Sequence, residues 1–344
     1  MTSDMNRMRV VVLTGGASAE REICLLSGRK VMAALDPERY HAVSVDLAAI
    51  AGERATDLAR ILLSPQAREP GPPGPAAEHD GRPNVVFIAL HGGAGENGTV
   101  QGVLELLGIP YTGSGVLASA LAMNKIMSKK IFERDGIPTP RWVPLGAADR
   151  DSAQDVGLGR IGLPCVIKPA CEGSTIGVTV VKREEDLSGA LAGAFQYGPR
   201  ALAEEFVEGT EIAGAVLGND DARVLPLVEI VPAGGFYDYA AKYTPGATEE
   251  IVPARIAEAL ADRARELSLA AHHALGCRGF SRVDMIAAGD EVYVLEVNSI
   301  PGLTDTSLVP RAAEADGISF PQLVERLIEL ALADREGPDA NPGP

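Results

Sequence analysis

Four polar side chains lie in the largely apolar, strand-like stretch from Gly276 to Leu308. Arg282 and Asp284 are two residues apart, and so are Glu296 and Asn298. Alternate residues of a strand point to the same face, so each pair shares a face if the segments are strands. Carboxylates and an amide supply oxygen atoms, the ligands that Mg²⁺ and Mn²⁺ prefer. The pattern therefore favours a site for a hard divalent cation.

The turn signal Gly289-Asp290 predicts an antiparallel hairpin in this stretch. A loop from Gly289 to Glu291 predicts three facing pairs: Ala288 with Val292, Asp284 with Glu296, and Arg282 with Asn298. Two carboxylates facing each other across strands repel unless a cation lies between them. The alternative is a solvated hairpin face on which Arg282 neutralises the acids, and the hairpin residues by themselves leave both interpretations open.

Two glycine-rich stretches follow predicted strands near the start of the chain. GGASAERE, residues 15–22, opens a helix whose N-terminal N–H groups are free. Glu20 there is either a carboxylate stabilised by the helix dipole or the receptor of a substrate ammonium. HGGAGENG, residues 91–98, ends a strand where open α/β sheets bind ligands, although His91 alone does not define a site. Neither stretch is a dinucleotide fingerprint or a phosphate loop of the GxxxxGK[ST] type.

LPCVIKPACEGSTIGVTVVK, residues 163–182, predicts two apolar strands around a loop rich in glycine and hydroxyl residues. Such a loop can lay N–H groups over phosphates while a strand lysine, here Lys168, meets their charge. The alternative is a plain hairpin with a lysine that extends to solvent. ALAEEFVEGTE supplies further acids, either for the amino and hydroxyl groups of a nucleotide or as a solvated edge: Glu204, Glu205 and Glu211.

Two more stretches are candidates for a site. FYDYAAKYTPG, residues 236–246, combines tyrosines and Lys242 with loop-forming residues, which is typical of a lid that closes over a site, or else of aromatic packing under a loop. PGLTDTSLVP, after Asn298, predicts a turn into a helix N-terminus. The N–H groups there and the hydroxyl of Ser307 can hold a carboxylate.

These residues need a scaffold, and alternating strand and helix patterns up to about Gly115 predict a parallel sheet. One helix is expected over residues 116–135, and strands dominate from Pro164 onward. The remaining expectations are strands at 9–13, 42–46 and 85–90; helices at 19–35, 55–63, 99–107, 186–195, 256–275 and 320–333; a surface loop at 65–83; and a disordered tail at 337–344.

Composition narrows the class of protein. A chain of 344 residues predicts two or three domains. A net charge of −16 argues against nucleic acid or an anionic membrane as a partner. No apolar run suits a signal peptide or a bilayer span, which predicts a cytoplasmic protein. The four cysteines lack CxxC or CxxH spacing, so reduced thiols are expected rather than disulfides or a zinc site.

Taken together, six stretches closely resemble the D-alanine–D-alanine ligases of the ATP-grasp superfamily, from Gly15 to about Leu332. They are GGASAERE, HGGAGENGTVQGVLELLGIPYTGSG, KPACEGSTIGV, FYDYAAKY, RVDM and LEVNSIPGLTDTSLVP. The resemblance implies that ATP phosphorylates the carboxylate of one D-alanine and that the amine of a second attacks the acyl phosphate. The dipeptide then enters peptidoglycan synthesis. ATP, two Mg²⁺ or Mn²⁺ ions and a homodimer are also implied.

The resemblance implies roles for the matching residues. Those for the reaction are Glu20 on the first D-alanine's ammonium, Ser174 and Tyr243 ordering the lid, His91 at the substrate, Arg282 and the Gly302 N–H on the oxyanion, and Ser307 with the Leu308 N–H on the second carboxylate. Those for ATP are Lys125, Lys168 and Lys242 on phosphates, Glu172 and Ser174 in the covering loop, Glu204, Glu205, Phe206 and Val207 on adenine, and Glu211 on ribose. Asp284, Glu296 and Asn298 match the metal ligands.

The implied fold is ATP-grasp, of mixed α/β (α+β) class. It has an N-terminal parallel α/β domain (1–124), a central subdomain (125–211) and a C-terminal subdomain (212–336), both α+β. The chain departs from the family pattern at Cys24, Asn97, Asn124, Cys171 and Thr175. Three alternatives stay open: a D-serine or D-lactate acceptor, a non-catalytic nucleotide-binding relative, and a dinucleotide-binding oxidoreductase, which no GxGxxG supports.

Overall fold

The computed structural model describes residues 7–49, 55–63, 82–146, 159–234, 241, 242, 244 and 246–333. The strands are β1 (Met8–Thr14), β2 (Tyr40–Asp46), β3 (Val85–Ile88), β4 (Trp142–Gly146), β5 (Cys165–Pro169), β6 (Thr179–Val181), β7 (Arg200–Glu205), β8 (Thr210–Gly218), β9 (Arg223–Val224), β10 (Val228–Pro232), β11 (Thr248–Ile251), β12 (Gly279–Ala288) and β13 (Glu291–Asn298).

The α-helices interleave with these strands. They are α1 (Arg21–Ala34), α2 (Ala55–Leu63), α3 (Gly93–Glu96), α4 (Thr99–Leu106), α5 (Val116–Met123), α6 (Lys125–Arg134), α7 (Leu187–Ala194), α8 (Glu258–Ala274), α9 (Leu308–Ala315) and α10 (Phe320–Ala333). Every helix expected from periodicity is present except the single helix over 116–135, which is two helices. The predicted loop at 65–83 falls largely outside the described residues, and the predicted tail at 337–344 falls wholly outside them.

The first sheet is parallel, in the order β2-β1-β3, as the alternating pattern predicts. Its strands are rich in buried valine, leucine and isoleucine because helices and C-terminal segments cover them. In a parallel sheet the carboxyl ends of the strands meet at one edge. That edge presents Gly15 and Gly16 after β1 and His91 shortly after β3, so the two glycine-rich stretches lie together.

The other two sheets are antiparallel. One has the order β4-β7-β5-β6 and places Lys168 on β5 beside β7, which carries Glu204. The other has the order β11-β10-β8-β12-β13, with β9 paired to β8. Helix α8 packs alanine and leucine side chains against this larger sheet, so the strand that carries Arg282 and Asp284 is fixed from behind.

The β12–β13 hairpin confirms the predicted pairs Asp284 with Glu296 and Arg282 with Asn298. The path to this register differs from the prediction. The turn is only Gly289-Asp290, so Ala288 faces Glu291 and the predicted pairing of Ala288 with Val292 is wrong. Leu295 has no partner in the β12–β13 register, and this β-bulge restores the register before Glu296 is reached.

Asn124 interrupts the helix that the sequence predicts over residues 116–135. Its backbone is extended, at φ −94° and ψ 92°, and its side-chain oxygen accepts a hydrogen bond from Met127 N at 3.2 Å. Asn is a favourable N-cap, because its short side chain satisfies a free N–H at a helix start. The break places Lys125 at the first turn of α6, with its ammonium beside the KPACEGST loop.

Cys24, Cys165 and Cys277 are buried and Cys171 is exposed, and all four thiols are free, as the spacing predicts. Among the helices within the described ranges, none is long and apolar enough to cross a bilayer.

Candidate active site

Glu20 and Ser174 meet where α1 begins, although 154 residues separate them. Glu20 is only 5% exposed at the N-cap of α1, and the Ser174 hydroxyl donates a hydrogen bond to its Oε1. Ser174 and Thr175 have positive φ angles of 49° and 62°, a region costly for residues other than glycine. Strained backbone angles of this kind cluster at ligand sites, and here they occur in the covering loop where it reaches Glu20.

His91 joins the first sheet to the segment after β13. Its Nδ1 lies 3.1 Å from the Ile300 carbonyl oxygen, and its Nε2 lies 3.0 Å from Ser27 Oγ. A carbonyl only accepts, so Nδ1–H is the donor and Nε2 accepts from the serine hydroxyl. Burial lowers the pKa of His91, which keeps the ring neutral and suited to this pair of contacts.

The polar face of the hairpin holds its charges in close pairs. Arg282 donates to both oxygens of Asp284 at 2.7 Å, and Asn298 Nδ2 donates to Asp284 Oδ2 at 3.1 Å. Lys125 Nζ lies 2.8 Å from Glu296 Oε2. Arg282 therefore does neutralise Asp284, as the surface alternative proposes. The face is not solvated, however, because Asp284 is only 6% exposed.

Lysines converge on Glu296 from three segments. Burial alone would raise the pKa of Glu296, but the ammonium groups of Lys125, Lys242 and Lys168 outweigh burial and lower it. Glu211 behaves in the opposite way. Burial raises the pKa of Glu211 to about 7, and Lys242 opposes this rise only in part.

The central sheet positions the side chains that were predicted to meet ATP. Lys168 Nζ lies 2.6 Å from Glu204 Oε1, and Lys125 Nζ donates to the Glu172 carbonyl at 2.7 Å. Glu205 points elsewhere and forms a two-bonded ion pair with Arg141 at 2.9 and 3.0 Å. The next two residues, Phe206 and Val207, lead from β7 towards β8 through a segment whose Phe206 N–H donates to Pro164 O at 3.3 Å.

The turn after β13 is held by hydroxyl groups. Ser307 is the N-cap of α9, and its Oγ accepts from Thr304 N at 2.9 Å. A Cβ atom on Gly302 would lie 2.7 Å from Ser307 Oγ, so any other residue there would displace the Ser307 hydroxyl. Leu308 is 2% exposed at the first position of α9.

One cavity joins the residues predicted to hold the two amino acids, whereas most of those predicted for ATP and the metal do not line it: Lys125, Lys168, Glu172, Glu204, Phe206, Val207, Glu211, Asp284 and Glu296. Its lining includes residues from the β1–α1 turn, the HGGAGENG stretch, the covering loop, the hairpin and the turn after it: Glu20, His91, Glu96, Ser174, Lys242, Arg282, Asn298, Gly302, Ser307 and Leu308. Tyr243, also predicted for this site, lies outside the described residues, as does most of the 236–246 stretch. Glu205 does not line the cavity, because Arg141 draws it to the exposed side.

Two residues near the site were not assigned from sequence. Glu96 accepts a hydrogen bond from Gly92 N at 2.7 Å, and burial raises its pKa to about 8. Lys129 is fully buried and ion-paired with Glu204. Its spacing of four residues from Lys125 was a usable signal, since such residues share one helix face.

The departures from the family pattern take neutral structural roles. Cys24 Sγ accepts from His91 N at 3.0 Å, and burial raises its pKa to about 12, so it acts as a neutral thiol. Asn97 Oδ1 accepts from Thr99 N at 3.0 Å at the start of α4, and Asn124 caps α6. Neither asparagine needs a charge for these contacts.

The donor atoms on the hairpin face fit a hard cation. Asp284, Glu296 and Asn298 offer only oxygen ligands, on one face of two facing strands. Within the described ranges, no three His, Cys, Asp or Glu residues are grouped so that they could hold a metal ion. The hairpin set differs from such a group because its third ligand is the amide of Asn298. Its oxygen ligands suit Mg²⁺ or Mn²⁺.

A parallel α/β sheet lies beside two antiparallel sheets, of which one carries Lys168 and Glu204 and the other carries the facing Asp284 and Glu296; this arrangement defines an ATP-grasp protein. The comparisons specify the family. Residues 9–114 match the N-terminal part of the D-alanine–D-alanine ligases, and residues 131–329 match the C-terminal part. The chain belongs to the D-alanine–D-alanine ligase family, which confirms the fold class and the resemblance seen in the sequence.

Relatives match over nearly the full chain. The D-alanine–D-alanine ligase of Desulforudis audaxviator is 51% identical over 94% of this chain and 98% of its own length. The crystal structure of the Bacillus anthracis ligase complexed with ATP has a TM-score of 0.76 and 32% identity, covering 96% of this chain and 99% of that one. The VanG D-Ala:D-Ser ligase of Enterococcus faecalis has a TM-score of 0.78 and 31% identity, covering 94% and 99%.

Proposed function

We propose that this protein joins two D-alanine molecules with ATP, releasing ADP and phosphate. The observation that carries the proposal is the shared cavity, in which Glu20, Arg282 and Ser307 line one space. Two amino acids that react head to tail need three groups: one that binds the ammonium of the first, one that donates hydrogen bonds to the oxyanion, and one that binds the carboxylate of the second. The product would serve peptidoglycan synthesis.

The first D-alanine binds with its ammonium at Glu20, whose carboxylate is fixed by Ser174. Its carboxylate oxygen attacks the γ-phosphorus of ATP, and ADP leaves, which creates an acyl phosphate. A carboxylate is a poor acyl donor until it is activated in this way, because it lacks a good leaving group. The acyl phosphate must be kept from water, and the resemblance to the ligase family assigns Tyr243 a part in that.

The second D-alanine binds with its carboxylate at Ser307 and the Leu308 N–H, at the N-terminus of α9. Its neutral amine attacks the acyl carbon, and phosphate leaves with the bonding electrons while the amine loses a proton. Arg282 and the Gly302 N–H stabilise the tetrahedral oxyanion. The two hydrogen bonds that Arg282 donates to Asp284 fix its guanidinium plane for this task. His91 orients the loop through Ile300.

ATP binds between the central and C-terminal sheets. Lys125, Lys168 and Lys242 meet its phosphates, and the loop with Glu172 and Ser174 covers them. The segment Glu204 to Val207, which includes Glu205 and Phe206, borders the adenine, and Glu211 accepts from the ribose.

Asp284, Glu296 and Asn298 would hold two Mg²⁺ or Mn²⁺ ions, whose charge screens the triphosphate against the incoming carboxylate. Because Arg282 and Lys125 contact the same carboxylates, these cations share the negative charge of the site with the metal. Each carboxylate is therefore already held in place by the chain.

A coupled ADP-release assay with purified protein tests the reaction. ADP release is expected to require D-alanine and Mg²⁺, and Asp284→Asn and Glu296→Gln should each lose most turnover while circular dichroism shows an intact fold. Turnover with L-alanine but not D-alanine would overturn the proposal, and full activity in either variant would remove that residue from the metal set. Measurable turnover would exclude a non-catalytic nucleotide-binding protein. Binding of NADH would support the dinucleotide-binding oxidoreductase instead.

The identity of the acceptor needs a separate measurement. The similarity to a D-Ala:D-Ser ligase keeps D-serine as a second candidate. We expect D-alanyl-D-alanine to dominate when D-alanine, D-serine and D-lactate compete, measured by mass spectrometry of the products. A dominant mixed product would reassign the acceptor without changing the phosphorylation step.

We further propose a cytoplasmic homodimer with units 1–124, 125–211 and 212–336. The sequence resemblance supports the dimer, and the three sheets support the units. Light scattering should give twice the chain mass of 35.9 kDa. A monomeric mass at micromolar concentration would contradict the dimer.

A further inference from the structure

Two buried lysines share one carboxylate in the central sheet. Glu204 is 2% exposed, and its two oxygens face Lys168, at 2.6 Å, and Lys129. Lys129 has no exposed surface, and its ammonium also donates to Thr139 Oγ1 at 2.5 Å. Thr139 in turn donates to the Val294 carbonyl at 2.8 Å, which fixes the hydroxyl from the far side.

The cluster of Lys129, Lys168 and Glu204 carries two positive charges and one negative charge. Buried charges are normally balanced, because an unbalanced charge in the interior costs several kcal/mol. Glu296 does not supply the missing negative charge, because it is already ion-paired with Lys125, one helical turn before Lys129, and Lys242 also acts on it. An anionic ligand next to Lys168 would balance the cluster.

We propose that Lys129 is a positioning residue for the nucleotide: by sharing Glu204 with Lys168, it leaves the charge of Lys168 available to the phosphates. This inference rests on the proposed ATP site. Without Lys129, Lys168 and Glu204 form a neutral pair, and the attraction for phosphate falls. The adenine and ribose contacts keep their places, because Lys168 still holds Glu204.

The protonation of Lys129 gives this inference a pH dependence. Burial lowers the pKa of Lys129 to about 8, and Lys168 also lowers it, while Glu204 and Glu296 oppose the fall. The Thr139 hydroxyl is a further polar contact of the ammonium. Below about pH 8 the ammonium is charged and the positive surplus is present. Above that pH, Lys129 becomes neutral and Glu204 belongs to Lys168 alone, so the affinity for ADP should decline.

Isothermal titration with ADP and with adenosine tests the proposal on the full chain. Lys129→Met should raise the Kd for ADP at least tenfold at pH 7 and leave the Kd for adenosine within about threefold, since adenosine has no phosphate. Lys130→Met is the matched control, because Lys130 is exposed on the same helix. The single tryptophan, Trp142, faces Glu204 across β4 and β7 and offers a fluorescence signal for the same titrations.

Each outcome decides the question. Unchanged ADP affinity in Lys129→Met, or equal losses for ADP and adenosine, would overturn the role of Lys129. If that variant does not fold, the parent protein decides: its ADP affinity should fall between pH 7.5 and 9.5, and Lys129→Arg should remove the fall. A flat profile in the parent would also overturn the inference. Failure of the parent to bind ADP at any pH would instead reject the proposed function.

Discussion

Helix α6 carries two buried lysines one turn apart, and their pKa values shift in opposite directions. The pKa of Lys125 is raised, because Glu296 outweighs the effect of burial. The pKa of Lys129 is lowered to about 8, because burial and Lys168 together outweigh Glu204. Both residues are lysines in one helix, so residue type and burial do not explain the difference. The ion pairs explain it: Lys125 is the lysine that contacts Glu296 directly, whereas Lys129 and Lys168 both contact Glu204.

The most severe test of this contrast is a comparison of two deletions of charge. Lys125→Met leaves Glu296 without its nearest cation, and breaking a buried pair costs about 3–5 kcal/mol. Glu296 is partly exposed, so we expect the low end, about 3 kcal/mol. Lys129→Met leaves the Lys168–Glu204 ion pair complete, so it should lower the free energy of unfolding by clearly less. Urea unfolding at pH 7 measures both free energies, and a larger loss for Lys129→Met would break the contrast.

The pH dependence of stability sharpens the same contrast. A lysine whose folded pKa lies below its unfolded value binds fewer protons in the folded state between the two values, so stability rises with pH there. Relative to Lys129→Met, the parent should therefore gain stability above about pH 8, by at most about 1.4 kcal/mol per pH unit. Urea midpoints of both proteins at pH 7, 8, 9 and 10 measure the gain. A constant difference would show that Lys129 does not titrate in this range.

Thr139→Val probes the contact that only Lys129 has. Loss of the hydroxyl leaves the Val294 carbonyl and the Lys129 ammonium each short of one hydrogen bond, at a cost of about 1–2 kcal/mol. ADP affinity should fall severalfold, while the Lys125–Glu296 pair is untouched. Thermal unfolding and ADP titration measure the two effects. Stability equal to that of the parent would mean that the hydroxyl is dispensable.

Lys130→Met should have the smallest effect. Lys130 is exposed, and surface substitutions of this kind change stability by no more than about 0.5 kcal/mol. ADP affinity should match that of the parent. A tenfold loss of ADP affinity in this variant would indicate a general charge effect of α6 rather than a role of the buried lysine.

The hairpin illustrates how far the sequence reaches. Alternation placed Arg282 with Asp284 and Glu296 with Asn298 on shared faces, and the structure confirms which residues face each other. The bulge was not predictable, because Leu295 continues a run of strand-forming residues. The turn is one residue shorter than the predicted loop, and the bulge adds one residue to β13, so the two differences cancel. The predicted pairing was therefore correct near the site and wrong near the turn.

The lysines illustrate the limit. Lys168 stood out because it interrupts an apolar strand, whereas Lys129 and Lys130 read as an ordinary polar pair on a helix. Burial distinguishes them, and burial depends on how α6 packs against β7 and β13. The break between α5 and α6 at Asn124 decides that packing. The sequence signal for this break is weak, because an asparagine also fits on the surface of an unbroken helix. Tyr243 stays a prediction from resemblance.

The last helix has a consequence for how the chain is made. Leu323 and Leu327 of α10 lie in the same apolar core as Val12 and Phe87 of the first sheet. While a ribosome has yet to add α10, this core lacks the leucine side chains of that helix. The first sheet therefore reaches its final packing only after α10 has been made, long after its own strands.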